Sequence, residues 1–148
     1  MRFSMKSRYA FRALIDLAMN SKTAHVPLNV LAERNRISPQ FLEQVFASLR
    51  RANLVKSVKG PQGGYYLARP ASEITASDIL FAVDGNYCIP DEESADSGKD
   101  GEISQVIQDL IIDPLNEQMR NILEHVTLED MEEQYIRQSR KVSYMYYI

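Results

Sequence analysis

Beyond Ser7 the apolar residues Ala10, Phe11, Leu14, Leu17 and Ala18 return at every third or fourth position, the spacing that turns one stripe of a helix toward a core. The pattern predicts a helix closing near Asn20. A shorter stripe of Leu28, Leu31 and Ala32 follows Pro27, whose fixed φ suits a first helical position, and it runs out around Asn35. Ser38 then offers a capping hydroxyl with Pro39 directly after it. Leu42, Val45, Phe46 and Leu49 mark the buried side of a third helix reaching about Arg51. Two helices joined by a tight turn, a helix-turn-helix, are expected here.

The period then shortens to two. Leu54 to Leu67 alternates on both sides of Gly60-Pro61-Gln62-Gly63-Gly64, which predicts a β-hairpin with a glycine-rich tip, the wing of a winged helix-turn-helix. Thr75-Ala76-Ser77-Asp78 has the form of a capping box and opens a short helix through about Val83. The polar stretch from Asp91 to Gly101 reads as a mobile loop. From Glu102 to Val126 the apolar residues Ile103, Val106, Ile107, Leu110, Ile111, Leu115, Met119, Ile122 and Leu123 keep helical spacing and predict one long amphipathic helix. Asp113-Pro114 either kinks this helix or recaps it with Pro114 at its first position. Thr127-Leu128-Glu129-Asp130 restarts a helix of about three turns, ahead of an uncharged aromatic tail, Tyr144-Met145-Tyr146-Tyr147-Ile148. The expected fold class is mostly α with a small β-wing. Residues 1–84 form the winged helix-turn-helix, 85–101 an acidic loop, and 102–148 a dimerisation helix, a final helix and the tail.

Charge sharpens this picture. Residues 1–70 hold 12 Lys or Arg against 3 Asp or Glu, and residues 71–148 hold 5 against 17, so a first half at +9 and a second at −12 give the net −3. A concentrated basic half is the footprint of a nucleic-acid binder, because phosphate contacts release counterions. Its plainer reading is a solvated basic face. No run of apolar residues is long enough to span a bilayer, and no apolar segment at the N-terminus is followed by a small-residue cleavage site, so a cytoplasmic protein away from membranes is expected.

The third helix puts Gln40, Glu43, Gln44 and Ala47 opposite Leu42, Val45 and Leu49. Gln pairs in bidentate fashion with adenine, and a carboxylate accepts from cytosine N4, so this row suits reading of a major groove from a helix opened by Ser38. Lys6, Arg8, Arg50 and Arg51 are candidates for phosphate contacts. Lys56 and Lys59 with Gly60, Gln62 and Gly63 make a slim cationic finger whose glycines let backbone approach a phosphate or enter a minor groove. The tip matches neither the dinucleotide fingerprint nor the P-loop. An ordinary polar helix face and a plain hairpin are the competing readings. For 102–148, Ile103, Val106, Ile107, Leu110, Leu115, Met119 and Ile122 form a stripe longer than a small domain needs for its own core, which predicts a homodimer seam.

Catalysis finds no support, since Cys88, His25 and His125 are scattered and no local sequence sets a base beside a nucleophile. A single cysteine also excludes an intrachain disulfide and a self-contained cysteine-rich metal site, so no metal and no cofactor are expected. Cys88 has no basic neighbour in sequence; it reads either as an inert thiol or as a redox sensor.

Four segments together carry a resemblance along nearly the whole chain: Ser7-Arg8-Tyr9-Ala10; Ile37-Ser38 followed by Phe41-Leu42-Glu43-Gln44; Leu49-Arg50-Arg51-Ala52-Asn53-Leu54-Val55; and Gly60-Pro61-Gln62-Gly63-Gly64-Tyr65. They resemble the Rrf-two family of winged-helix transcription regulators. The resemblance implies a DNA operator as partner, a third helix in the major groove, a wing in the minor groove and a long helix that crosses its mate. Cluster-binding members carry three cysteines before that helix, and this sequence has only Cys88 there. The end of the chain, from Thr127 to Ile148, looks most like the cysteine metabolism repressor (CymR) subgroup. That likeness implies repression of sulfur and cysteine genes together with cysteine synthase, whose docking peptide would be Tyr146, Tyr147 and Ile148. Two alternatives stay open, a thiol-sensing regulator using Cys88 and a winged-helix module that binds protein and not DNA.

Overall fold

The computed structural model describes residues 3–93 and 98–146 of the 148. Three helices, α1 (Met5–Asn20), α2 (Leu28–Asn35) and α3 (Pro39–Arg51), lead into an antiparallel hairpin of β1 (Val55–Val58) and β2 (Gly64–Leu67). A 3-10 turn at Ala71–Glu73 precedes α4 (Ala76–Asp84); α5 (Lys99–Ile107), α6 (Asp113–Leu123) and α7 (Leu128–Tyr146) follow. Leu14 and Leu17 of α1, Leu31 of α2, Leu42, Val45, Phe46 and Leu49 of α3, Ile79 of α4 and Leu128 of α7 share one core. This is the expected mostly helical winged helix-turn-helix.

Local chemistry sets the turn between α2 and α3. Arg36 takes the left-handed conformation at φ 54°, and its N–H reaches back to Ala32 and Glu33 while Ile37 N–H bonds Ala32 O at 2.9 Å. Ile37 is thereby buried. The next residue, Ser38, accepts the Phe41 N–H at 3.2 Å and Pro39 starts α3, a cap worth about 1 kcal/mol. The hairpin pairs Val55 with Leu67 and Val58 with Gly64. Val26 adds a bridge to Tyr65, with both N–H to O distances at 2.8 Å, and so ties the wing to the start of α2.

Several expected boundaries shift. Helix α1 opens at Met5, not after Ser7, because the Ser4 side chain accepts the Ser7 N–H and caps it. Pro27 is the cap of α2 in extended conformation and Leu28 its first helical residue. Helix α5 begins at Lys99, three residues before Glu102 and inside the span expected to be loop, of which 94–97 lie outside the described residues. At Asp113-Pro114 the helical run continues without a side-chain cap, with Pro114 in the first turn of α6. A π-turn, Gln108–Ile112, joins α5 to α6, with Asp113 N–H bonded five residues back to Gln108 O. Proline in a regular helix crowds the carbonyl four residues earlier, here Leu110, and a widened turn relieves that contact.

The last helix runs 19 residues, not three turns. No glycine or proline interrupts 128–146, and Tyr144, Met145 and Tyr146 belong to it. It is stapled to the domain at its start: Thr75 bridges Thr127, Ala76 N–H bonds Val126 O and Leu128 N–H bonds Ile74 O, each at 2.8 Å. Lys22 Nζ meets the buried Glu132 at 2.8 Å. That contact, and then the Coulomb attraction of Glu132, raise the Lys22 pKa above its ordinary value. Thr127 and Asp130 cap the helix reciprocally at 2.9 and 3.1 Å, and the Thr127 N–H, followed by its hydroxyl, holds the Asp130 carboxyl below its ordinary pKa. Among the described residues no helix is long and apolar enough to cross a membrane.

Candidate nucleic-acid interface

Helix α3 buries Leu42, Val45, Phe46 and Leu49 and leaves Gln40, Glu43 and Gln44 exposed along its opposite side. Ala47 is half-buried at the edge of this row. Three polar side chains of the kind that read base edges therefore stand together on a helix whose own position is set by the core. At its end Arg50 is exposed and donates to the Ser57 hydroxyl of β1 at 3.4 Å, which leans it toward the wing. Arg51 instead turns back to Ser48 Oγ at 3.1 Å.

On the wing Lys56, Lys59, Gly60 and Gln62 are exposed and Gly63 is half-buried. The tip depends on two glycines for different reasons. Gly60 has φ 111°, and a Cβ at Gly63 would lie 2.1 Å from Val58 O. His25 Nε2 meets the Gln62 carbonyl at 2.5 Å and braces the tip from the segment before α2. Between wing and α2 lies a cleft of about 380 Å³ lined by Leu28, Asn29, Arg50, Lys59, Gly60 and Tyr65. Its cationic borders suit a polyanion passing between the two elements.

Helix α1 contributes Lys6, half-buried, and Arg8, exposed with its guanidinium 5.2 Å from the centre of the Phe3 ring. Tyr9 of α1 meets Phe41 of α3 edge-on at 5.4 Å and so holds the two helices in fixed relation.

Away from this surface, the expected dimer seam is open. Ile103, Val106, Leu110, Leu115 and Ile122 are exposed, Leu110 at 73%, while Ile107 and Met119 are half-buried. Ile112 and Asn116 turn inward between them and are buried. Tyr146 is exposed on α7; Tyr147 and Ile148 lie outside the described residues.

A family model described as an iron-dependent transcriptional regulator, Rrf2, matches residues 3–134. The chain belongs to the Rrf2 family. The HTH-type transcriptional regulator IscR of Photorhabdus laumondii is 49% identical over 84 residues, 57% of this chain and 51% of that protein. IscR of Klebsiella pneumoniae is also 49% identical, over 52% of its length. The chain thus spans about half the length of the curated relatives it matches. Among solved structures it is similar to CymR, the global cysteine regulator of B. subtilis, with a TM-score of 0.73 at 31% identity over 90% of this chain and 98% of that one. T. potens IscR gives 0.69 at 31% over 91% and 88%.

The iron in the family description raises the matter of a metal site. Cys88 is the sole cysteine of the chain, and its Sγ lies 3.5 Å from Arg120 Nη1, a cation where a metal would need further anionic or imidazole donors. Among the described residues no three His, Cys, Asp or Glu gather around a common point. The donor set does not fit an iron-sulfur cluster. Arg120 was invisible in sequence because it reaches Cys88 across 32 residues.

Proposed function

We propose that this Rrf2 chain is a homodimeric DNA-binding transcriptional regulator and represses genes of sulfur or cysteine metabolism. The observation that carries the DNA-binding part is the exposed row of Gln40, Glu43 and Gln44 on α3, followed by an exposed cationic wing of Lys56, Lys59 and Gly60 to which the end of α3 is tied by the Arg50–Ser57 hydrogen bond. In this reading α3 lies in the major groove, Gln62 and Gly63 take the wing into the minor groove, and Lys6, Arg8, Arg50 and Arg51 meet phosphates. Residues 1–84 read DNA, 85–101 connect, and 102–148 dimerise through Ile103, Val106, Ile107, Leu110, Leu115, Met119 and Ile122. A two-fold dimer implies a pseudo-palindromic operator.

The sulfur-metabolism part is supported by the likeness to the B. subtilis global cysteine regulator over nearly the whole of both chains. Cysteine synthase is the proposed partner, taking Tyr146, Tyr147 and Ile148 by capture of the C-terminal carboxylate. The exposure of Tyr144, Met145 and Tyr146 supports an accessible last turn of α7.

Selection of bound fragments from genomic DNA by the purified protein, with sequencing of the enriched pool, tests the DNA-binding part. A single palindromic motif upstream of sulfur genes is expected, and an unenriched pool would return the fold to a protein-interaction role. Calorimetric titration with cysteine synthase tests the partner: removal of Tyr147 and Ile148, or addition of O-acetylserine, should abolish binding. Undiminished binding in both cases would sink the docking idea.

A thiol-sensing second reading rests on Cys88 as a free, half-buried thiol whose Sγ lies 3.5 Å from Arg120 Nη1. Operator affinity that is indifferent to peroxide, in the wild type and in Cys88→Ser alike, would remove it.

A further inference from the structure

Asp84 is the last residue of α4 and stands outside every surface proposed to touch DNA. A carboxylate there faces the negative end of its own helix dipole, an unfavourable place unless something else holds it. What holds it is the start of α1. Asp84 Oδ2 accepts the Ser4 N–H at 3.0 Å and the hydroxyl of the fully buried Ser7, and Oδ1 accepts the Ser4 hydroxyl at 2.6 Å. Ser4 Oγ in turn accepts the Ser7 N–H at 3.2 Å, so the carboxylate and the cap of α1 form one network across 80 residues of sequence. At the N-terminal end of α1 the same carboxylate is favoured by the dipole it meets.

The network reaches further through the residue before the cap. Phe3 lies stacked on Phe11, with ring centres 5.6 Å apart and planes 11° from parallel, and the Arg8 guanidinium sits over the Phe3 ring. Phe3 precedes the helix and has no helical hydrogen bonds to hold it, so its place on Phe11 depends on where Ser4 is pinned. On the other side, Asp84 is followed by Gly85 at φ 76°, the first residue of the segment that leads to Cys88 and the dimer helix.

We infer that Asp84 is a positioning residue for DNA binding: it pins Ser4, Ser4 places Phe3, and Phe3 seats Arg8 for a phosphate. The carboxylate is thereby the joint between the segment entering the dimer helix and the outer edge of the DNA surface. This inference rests on the DNA-binding reading above.

The test is operator affinity of the protein as a function of salt, for wild type, Asp84→Asn, Arg8→Ala and the double variant. Asparagine lacks the charge and one of the two acceptor oxygens, so either its amide N–H faces the Ser4 N–H as donor against donor or the Ser4 hydroxyl has to turn from donor to acceptor, and the charge-assisted pinning of Ser4 is lost in both cases. Loss of one phosphate contact per protomer should reduce the slope of log affinity against log salt by about 2 for a dimer, on the operator and on scrambled duplex alike. The same reduction is expected for Arg8→Ala, with no further reduction in the double variant. Ser4→Ala, which keeps the buried Ser7 contact, should give a smaller change of the same kind and serves if Asp84→Asn folds poorly. An unchanged slope in Asp84→Asn and Ser4→Ala, or an effect of Asp84→Asn that persists in full without Arg8, would overturn the inference. Failure of the wild type to bind any duplex would instead overturn the DNA-binding reading itself.

Discussion

Asn116, buried in the first turn of α6, satisfies both polar groups of the Ile89 backbone, accepting its N–H at 2.8 Å and donating to its carbonyl at 2.9 Å. The side chain thus behaves as a strand neighbour supplied by a helix. It fixes where the segment after α4 meets the helix that follows. Asn116→Ala should cost about 1–3 kcal/mol, because two backbone groups lose their partner away from water. Thermal unfolding measures this, and an unchanged midpoint would mean that water replaces the carboxamide.

The seam on α5 and α6 leads to a second expectation. Leu110 and Ile122, exposed at 73% and 61%, should be covered in a dimer. Leu110→Asp or Ile122→Asp puts an unpaired charge into that contact and should favour monomer. Tight operator binding, which needs two half-sites about 34–36 Å apart, should be lost with it. Sedimentation decides the matter, and a persistent dimer in both variants would move the interface elsewhere.

Base reading and phosphate contact separate on α3 and the wing. Gln44→Ala should cost about 1–3 kcal/mol on the cognate site and relax preference at one base position, whereas Lys59→Ala should weaken matched and scrambled duplexes evenly. Equal weakening of every duplex by both substitutions would show that α3 does not read bases.

Acid should loosen the cap of α7. The Thr127 N–H, then its hydroxyl, lower the folded pKa of Asp130 below the unfolded one. The stabilisation is therefore present in full above the ordinary carboxylate value, about 4, and is lost as pH falls through the lower folded value. The difference in melting temperature between wild type and Asp130→Asn should narrow between about pH 6 and pH 2. A difference that stays constant would show that the charge contributes nothing.

Features with local causes were readable in the chain. The Ser38-Pro39 start of α3, the Thr75–Asp78 capping box and the glycine-rich tip each declare themselves within five residues, and all stand where the pattern put them. The wing strands and the outward row of α3 follow from periodicity alone. What escaped was whatever joins distant segments: His25 to Gln62, Arg120 to Cys88, Asn116 to Ile89 and Asp84 to Ser4. None of these pairs has a spacing rule, because each is created by the fold. The extent of α7 escaped for another reason. Its last turn is apolar and exposed, so it lacks the one-sided pattern that marks a helix packed on a core.

The π-turn at Gln108–Ile112 amounts to a one-residue insertion absorbed without a break. Its influence on downstream geometry is large for so small a change. Deleting a single residue there would restore a regular ladder, bring the Pro114 ring against the carbonyl four positions earlier, and rotate α6 by about 100° relative to α5. Leu115 and Ile122 would then leave the side shared with Ile103 and Val106, and Asn116 would swing away from Ile89. The spare residue sets the phase between the apolar rows of α5 and α6, so length at this point, more than the identity of any apolar side chain, keeps them along one continuous face.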